Sequence, residues 1–460
     1  MPEWNEENAA HLLSRAGFGG TPPEVRRYAQ RGQVWSIASL MAPKPSRAKG
    51  PGPSENDRAA AEKLAAWWAK RMTRQTGRRL HEKMALFWHD HFATQYSVVK
   101  NVKRMSLQNR IFREHGLGSF HNLCHQVTRD PAMLVFLDGK DNRDGNLNEN
   151  YGRELMELFV LGVNDRNGAE NYTQDDVIEI SRALTGYRID NDAGIMKAGR
   201  FDDGIKTLFA GTSFEATGNL GLENPDGSLF PPATNVLDIL FTHRDSDGEL
   251  TMPRFLGFKL WEFLAYPNPD KALIDEITGD FIAGGFIISD LVRSILMHEE
   301  FYSDAAKSSS VRSPIEFAAG AIRALNVRGN LNELPGQLHE MGMTLFDPPS
   351  VNGWNNGTPW LSSSLFLARL DFAQALAAGR AKTLKLVPKR LLPKNATSAD
   401  QVVDEILGRL QIANAMPADS RQALIDYFEG ATDFEDEEVL ERKVRGAVAL
   451  ILQLPEFQVH

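Results

Sequence analysis

Apolar residues recur at helical spacing along most of the chain. Between residues 59 and 129 they repeat every three or four positions, as in the stripe formed by Leu80, Met84 and Phe87. This period places apolar side chains on one face of an α-helix. The same period returns after residue 236 and continues almost to the end of the chain. The pattern therefore predicts a mainly α fold, a multi-helical single large module.

One stretch lacks the helical period. Residues 188–235 are rich in Gly and Asp, and the sequence RFDDGIKTLF within them places Asp-Gly between two short apolar runs. An Asp-Gly pair in this position is typical of a hairpin turn. We therefore predict a minor β-hairpin near residues 196–210.

Proline and glycine divide the chain into four parts. The segment 42–58 breaks all periodicity and is predicted to be a flexible loop, which separates N-terminal helices at 1–41 from a main helical domain at 59–380. The basic, proline-punctuated segment 382–398 predicts a join to a C-terminal helical unit at 381–460, packed on the main domain.

Capping signals locate two helix starts. Thr173 is followed three residues later by Asp176, which is the Asp variant of a capping box. Ser313-Pro314 has Glu316 in the corresponding place, with proline at the first helical position. Both signals predict helices that begin at these residues.

The densest polar chemistry lies at residues 138–187. A loop rich in Asp and Asn leads to a helix with Asn148 as its predicted N-cap and Gly162 as its stop, and the helix at Thr173 follows. The loop is no EF-hand, because placing Gly145 at the sixth position puts Lys140 first, where calcium coordination needs a carboxylate.

The helix after this loop carries one polar face. At about 100° per residue, Asn150, Arg153, Glu154 and Glu157 fall on the same side. Buried carboxylates must be neutralised by a proton, by an arginine or by a metal ion. One interpretation is a structural network in which Arg153 pairs with Glu157. The other makes Glu154 and Glu157 metal ligands or an acid–base pair.

Two histidines of one helix are further candidates. His89 and His91 lie about 200° apart on a helix and cannot share one ion. His91 continues an apolar stripe, as a core histidine does, and the functional hypothesis makes it a catalytic partner of Glu154. The hypothetical metal site takes Glu149, Glu154, Glu157 and His89 as ligands of a divalent ion.

Substrate contacts are predicted on the same face and in a distant loop. Asn150, Arg153 and Lys206 would hold a polar or anionic group. Trp354 and Trp360 lie in a loop stiffened by proline and glycine, where indoles bind saccharides or peptides. The alternative is that these tryptophans only attach the loop to the core.

Composition narrows the class of protein. The formal net charge is −9 with both signs scattered, which argues against nucleic acid as a partner. Cys124 is the only cysteine, so no intrachain disulfide can form. No apolar run approaches the roughly 18 residues of a membrane helix, and no signal peptide opens the sequence. We expect a cytoplasmic protein as the sequence stands, or an exported one if a signal sequence has been removed.

Several segments together resemble a bacterial family known as domain of unknown function eighteen hundred. They are HLLSRAGFG (11–19), FWHDHFAT (87–94), LDG (137–139), NENYGRELMELFVLGV (148–163), YTQDDVIEISRALTGY (172–187), DDGIKTLFAG (202–211), SPIEF (313–317), PPSVNGW (348–354) and PEFQ (455–458). The resemblance implies a predominantly helical module, often exported and often encoded beside an alkaline-phosphatase-like companion protein. It implies no settled activity, and it places a histidine where this chain has Asp202.

Two functional hypotheses follow from these residues. The first is an enzyme with a polar cleft, assisted by a divalent metal ion in one version, that acts hydrolytically on a saccharide- or peptide-like substrate. The second is a non-catalytic scaffold or maturation partner of a companion enzyme. In that case the polar face of the helix is a salt-bridge network. The loop that contains Trp354 and Trp360, the tryptophan loop, is then a docking surface.

Overall fold

The helical pattern of the sequence is realised in the computed structural model of the chain. It describes residues 3–42, 50, 58–74, 77–379, 383–394, 396–431, 433–434 and 436–460. The chain is 57% helical, and its described strands form only two-stranded antiparallel sheets, so the predicted mainly α fold is confirmed. Most of the loop predicted at 42–58 lies outside the described residues.

Helices follow one another closely through the first 183 residues. They are α1 (Glu6–Arg15), α2 (Pro22–Arg31), α3 (Gln33–Met41), α4 (Arg58–Arg74), α5 (Arg79–His91), α6 (Tyr96–Val99), α7 (Val102–His115), α8 (Phe120–Thr128), α9 (Pro131–Phe136), α10 (Asn150–Glu154) and α11 (Gln174–Ala183). A π-helical turn at Leu155–Val160 continues α10.

The later part of the chain returns to helices after a short β region. They are α12 (Val236–Thr242), α13 (Thr251–Leu264), α14 (Lys271–Ala283), α15 (Ile288–Met297), α16 (Asp304–Ser308), α17 (Pro314–Ala324), α18 (Leu334–Glu340), α19 (Ser363–Ala377), α20 (Ala399–Leu410), α21 (Ala418–Asp426), α22 (Arg445–Gln453) and α23 (Pro455–Gln458). A second π-helical turn precedes α22, and single 3₁₀ turns occur at 198–200, 299–302, 358–361 and 388–390.

Both predicted capping boxes are present. The Asp176 carboxylate accepts a hydrogen bond from the Thr173 backbone N–H at 2.8 Å and closes the first turn of α11. At the start of α17, Glu316 accepts in the same way from the Ser313 backbone N–H at 2.8 Å, with Pro314 at the first position. These local bonds satisfy N–H groups that the helix itself leaves free.

The β structure consists of short strands only. They are β1 (Tyr187–Asp190), β2 (Ala193–Met196), β3 (Lys206–Leu208), β4 (Ala216–Gly218), β5 (Arg328–Gly329) and β6 (Leu384–Lys385), paired in order. The strands near 196–210 belong to two hairpins. The first turns at Asn191-Asp192, both with positive φ, as this turn type requires. The Asp-Gly pair at 203–204 precedes β3 and links no paired strands.

One contiguous hydrophobic core extends from Ala9 to Phe457. Helices α5 and α17 lie within it and are buried on almost every side. Such helices bring any polar residue they carry into the interior, where it needs a partner. Both helices carry ionisable groups in this interior, among them His91 at the carboxyl end of α5 and Glu316 at the amino end of α17.

The C-terminal helices share this core. Strand β6 pairs with β5, and the Arg445 guanidinium on α22 donates to the Ala377 carbonyl at the end of α19 at 2.8 Å. The predicted division into a main domain at 59–380 and a unit at 381–460 remains a prediction. Within the described residues, no helix combines the length and apolar character needed to cross a membrane.

Candidate functional site

The polar face predicted on α10 forms a hydrogen-bonded network at the surface. The Arg153 guanidinium donates to Glu149 at 2.9 Å and to the Gln174 side-chain carbonyl at 3.0 Å. The Gln174 amide donates in turn to Glu149 at 2.9 Å. Arg153 therefore pairs with Glu149 rather than with Glu157, and the network joins α10 to α11.

Glu154 and Glu157 lie next to this network, about half-buried. Burial, followed by the charge of Glu157, raises the pKa of Glu154 above its ordinary value. The Tyr172 hydroxyl donates to Glu157 at 3.3 Å, and the exposed Asn150 amide donates to Asp138 at 3.3 Å. Glu154 and Glu157 therefore lie close enough for the charge of one to act on the other.

The π-helical turn after α10 connects this region to the interior. Its end leaves the carbonyls of Leu158 and Phe159 without helical donors, as at any helix C-terminus. The His91 Nε2–H donates to the Phe159 carbonyl at 3.0 Å, and the Lys259 ammonium donates to the Leu158 carbonyl at 3.4 Å. The turn therefore fixes two polar side chains that line an internal cavity.

This cavity has a volume of about 430 Å³, which is within the range of small-molecule sites. It lies between the carboxyl end of α5, the amino end of α17, helix α13 and the tryptophan loop. Its polar and aromatic lining comprises Arg15, Phe87, Asp90, His91, Lys259, Glu262, Phe263, Ser309, Ser310, Ser313, Glu316, Asn352, Trp354, Asn356, Trp360 and His460. Of the residues predicted from the sequence, His91, Trp354 and Trp360 line it.

Among the carboxyl groups that line the cavity, Asp90 has the pKa that is shifted furthest from its ordinary value. The Trp354 backbone N–H donates to its Oδ1 at 2.6 Å. Burial raises the pKa of Asp90 to about 7, while the hydrogen bonds from Trp354 and Asn356 and the charge of Lys259 oppose this rise. Asp90 is therefore partly protonated at neutral pH and can donate or accept a proton there.

The tryptophan loop reaches Asp90 because residue 353 is a glycine. Gly353 has φ +83°, and a Cβ built on it would lie 2.2 Å from the Asp90 Oδ1. A larger residue would clash and would also be strained in this conformation. Trp354 and Trp360 are only 6% and 4% exposed. They attach the loop to the core and also form walls of the cavity.

The two histidines of α5 occupy different surroundings. Burial lowers the pKa of His91 well below its ordinary value, and its Nδ1 is buried without a hydrogen-bond partner among the described residues. His89 lies among the rings of Trp68, Phe346 and Trp354, and burial lowers its pKa to about 3. Both are neutral at pH 7.

The pKa of Glu316 is shifted in the opposite direction, below its ordinary value. Its Oε1 accepts a hydrogen bond from the buried Lys83 ammonium, and its Oε2 accepts from the Ser313 N–H and hydroxyl at 2.8 and 2.7 Å. Burial acts to raise the pKa of Glu316, but the charges of Lys83 and Arg15 outweigh it and lower the pKa to about 2. Glu316 is therefore ionised whenever the protein is folded near neutral pH.

Lys206, predicted to contact substrate, is buried elsewhere. Its ammonium donates to the backbone carbonyls of Asp202 at 2.5 Å and Gly204 at 2.9 Å, and it lies 4.8 Å from the centre of the Phe201 ring. Asp202, where the resemblance implies a histidine, accepts from Arg182 at 2.7 Å. Lys206 therefore holds the turn before β3.

The predicted metal ligands do not form a cluster. Among the described residues, no three His, Cys, Asp or Glu side chains are grouped so that they could hold a metal ion. Glu149 is engaged with Arg153, and His89 lies in its aromatic surroundings. The metal-assisted version of the hydrolase hypothesis therefore has no ligand cluster among the described residues to support it.

Sequence reasoning missed Asp90, Lys259, Glu262 and Glu316 as parts of one site. The sequence predicted a role for Glu316 only in the capping box that begins at Ser313. Asp90 lies between His89, the predicted metal ligand, and His91, the predicted catalytic residue. The local pattern contained these residues, yet their convergence depends on contacts between segments up to about 260 positions apart, such as Trp354 with Asp90.

Several of the segments that carried the family resemblance contribute residues to this cavity. Arg15 comes from HLLSRAGFG, Asp90 from FWHDHFAT, Glu316 from SPIEF and Trp354 from PPSVNGW. The family model described as "Protein of unknown function (DUF1800)" matches residues 11–459, and the chain belongs to this family. No curated protein and no solved structure matches it.

Proposed function

We propose that the protein is a hydrolase that cleaves a polar, saccharide-like substrate in the cavity beside Asp90. One observation carries the proposal: a carboxyl group with a pKa raised to about 7 lines a cavity of about 430 Å³ that two indoles also line. Strongly perturbed carboxyl groups in clefts are candidates for general acid–base catalysis.

Asp90 is proposed as the general acid. In glycoside hydrolysis one carboxylic acid protonates the leaving oxygen while a second carboxylate activates water or attacks the sugar. Protonated Asp90 would give its proton to the leaving oxygen as the glycosidic bond breaks. The Trp354 N–H and the field of Lys259 then stabilise the carboxylate that remains.

Glu262 is proposed as the second carboxylate. It lines the same cavity, and its Oε1 accepts a hydrogen bond from the Asn268 N–H at 3.0 Å. Glu316 is less suited, because both its oxygens are engaged by Lys83 and Ser313. Glu262 would take a proton from the attacking water, so that protons balance between the two carboxyl groups.

The cavity walls support a saccharide rather than an apolar ligand. Trp354 and Trp360 offer flat apolar surfaces, and the exposed amides of Asn352 and Asn356 lie at the same rim. Sugars present an apolar face bordered by hydroxyl groups, which fits this combination.

His91 is proposed as a positioning residue. Its Nε2–H is committed to the Phe159 carbonyl, and its Nδ1 is buried from solvent. It therefore fixes the end of α5, and with it the neighbouring Asp90, against the π-helical turn.

The test compares the wild-type protein with two variants on a panel of chromogenic glycosides and peptides. We expect turnover of a glycoside that Asp90→Asn lowers at least about 100-fold, which is the usual contribution of a general acid. The wild-type rate should fall as pH rises through about 7, because Asp90 loses its proton there. Glu154→Gln, at the surface carboxylate pair, should retain the wild-type rate.

Four results would contradict the proposal. Full activity of Asp90→Asn would exclude the acid role. Loss of turnover in Glu154→Gln alone would move the catalytic site to the carboxylate pair beside α11. Turnover of peptides without turnover of any glycoside would reject the saccharide. A folded protein that turns over nothing would favour the scaffold or maturation-partner hypothesis.

A further inference from the structure

The interior next to the cavity carries more positive than negative charge. The side chains of Arg15, Lys83, Arg312 and Arg369 are each at most 5% exposed. Among the described residues, Glu316 is the one carboxylate whose charge acts on all four. Four cations against one carboxylate leave an excess of three positive charges.

Hydrogen bonds satisfy many of the donors of these cations but do not balance their charge. Arg15 donates to the carbonyls of Leu264 at 2.7 Å and Ala265 at 2.8 Å. Arg369 donates to the Arg312 carbonyl at 2.7 Å. A carbonyl contributes a dipole and no net charge, and an uncompensated buried charge is strongly unfavourable. An anion in contact with this group would therefore be strongly favoured.

One of these four cations, Arg15, adjoins the cavity described above. Arg15, Glu316, Ser313 and His460 all line it. Arg15 uses Nε and Nη2 for its backbone contacts, and Nη1 has no hydrogen-bond partner among the described residues. Ser309, exposed at the same wall, adds a hydroxyl group. An arginine with a free N–H beside hydroxyl donors is a common oxyanion-binding arrangement.

We propose that the substrate of this cavity carries an oxyanion, a carboxylate or a phosphate, which Arg15 and Ser309 bind. The proposal rests on the saccharide hydrolase proposed above and specifies its substrate class as an acidic saccharide. The sugar ring lies against the tryptophan walls, and the anionic substituent compensates the buried cations.

Equilibrium binding to the full-length wild-type protein tests the proposal without any need for turnover. Titration calorimetry at pH 7 and low salt would compare D-glucuronate, D-glucose 6-phosphate and neutral D-glucose. We expect at least one anionic sugar to bind about 10-fold or more tightly than glucose, because a charge-assisted hydrogen bond to a buried arginine is stronger than a neutral one. The two anionic sugars distinguish a carboxylate from a phosphate.

Variants assign any preference to Arg15. Arg15→Gln should reduce the preference for the anionic sugar about 10-fold while glucose binding stays unchanged. The matched control is Lys307→Gln, since Lys307 pairs with Glu7 at 2.8 Å at a neighbouring cavity. If Arg15→Gln does not fold, the ratio of anionic to neutral affinity in the wild-type protein still decides, together with its decline as salt is raised.

Equal affinities for the anionic and neutral sugars, or no binding of any of the three, would overturn the proposal. So would an anionic preference that Lys307→Gln abolishes and Arg15→Gln leaves intact. These results are separable from the catalytic test. Loss of glycoside turnover in Asp90→Asn together with equal sugar affinities would support the hydrolase and reject the acidic substrate.

Discussion

Replacing Asp90 by asparagine should make the protein more stable at alkaline pH. The aspartate side chain is largely buried at the end of α5, where its ionised form has lost most of its contact with water. Asparagine has almost the same shape and keeps an oxygen that can accept the Trp354 N–H. The substitution therefore removes the charge and retains the hydrogen bond.

The sign and size of this change in stability follow from the pKa of Asp90. Because the folded pKa of Asp90 is raised from 3.8 to about 7, the folded state holds the proton more tightly than the unfolded state. Wild-type stability should therefore decline between about pH 4 and pH 7 and be lowest above pH 7. At ~1.4 kcal/mol per pH unit, this raised pKa corresponds to at most about 4 kcal/mol of destabilisation at pH 8.

Urea unfolding at pH 4.5 and pH 8 measures this difference. We expect Asp90→Asn to exceed the wild-type free energy of unfolding by no more than about 1 kcal/mol at pH 4.5 and by about 2–4 kcal/mol at pH 8. The exposed Asp203 provides the control, and Asp203→Asn should stay within about 0.5 kcal/mol of the wild type at both values. A difference for Asp90→Asn that is independent of pH, or that favours the wild type at pH 8, would refute the reasoning.

Three further predictions concern other buried positions. Gly353→Ala should lower the free energy of unfolding by more than about 2 kcal/mol, because its Cβ would lie 2.2 Å from Asp90 and the backbone conformation would be strained. A loss below about 0.5 kcal/mol in urea unfolding would contradict this prediction. Glu316→Gln should destabilise the protein by about 3–5 kcal/mol at pH 7, since Lys83 loses its counter-ion; an unchanged urea midpoint would show that the pair contributes little. Cys124 should not react with a thiol reagent until the protein unfolds, because burial raises the pKa of its thiol well above the ordinary value; rapid labelling of the folded protein would argue against this.

Much of the local structure could be predicted from the sequence. Helical periodicity and capping are properties of neighbouring residues, so the capping boxes at Thr173 and Ser313 and the stop at Gly162 could be recognised without tertiary contacts. The hairpin turn at Asn191-Asp192 was missed because it lacks glycine. Asn and Asp also tolerate positive φ, so the turn uses a weaker signal of the same kind.

The candidate site could not be assembled in this way. The density of Asp, Asn and Glu at 138–187 predicted a site where the structure has a surface network. In this network Glu149 and Arg153 neutralise each other's charge. Asp90 and Glu316 differ from other carboxyl groups only through burial and through partners from distant segments. Desolvation and long-range charge are absent from any local pattern.

The helical class of the protein, its family and the starts of several helices could be recognised from the amino-acid sequence alone, because these depend on residues close together in the chain. The tertiary structure decided which ionisable groups face one cavity. It also decided where positive charge is concentrated: a chain with a net charge of −9 encloses four buried cations around Glu316. Net charge describes the whole surface, whereas recognition depends on the few charges that folding removes from water.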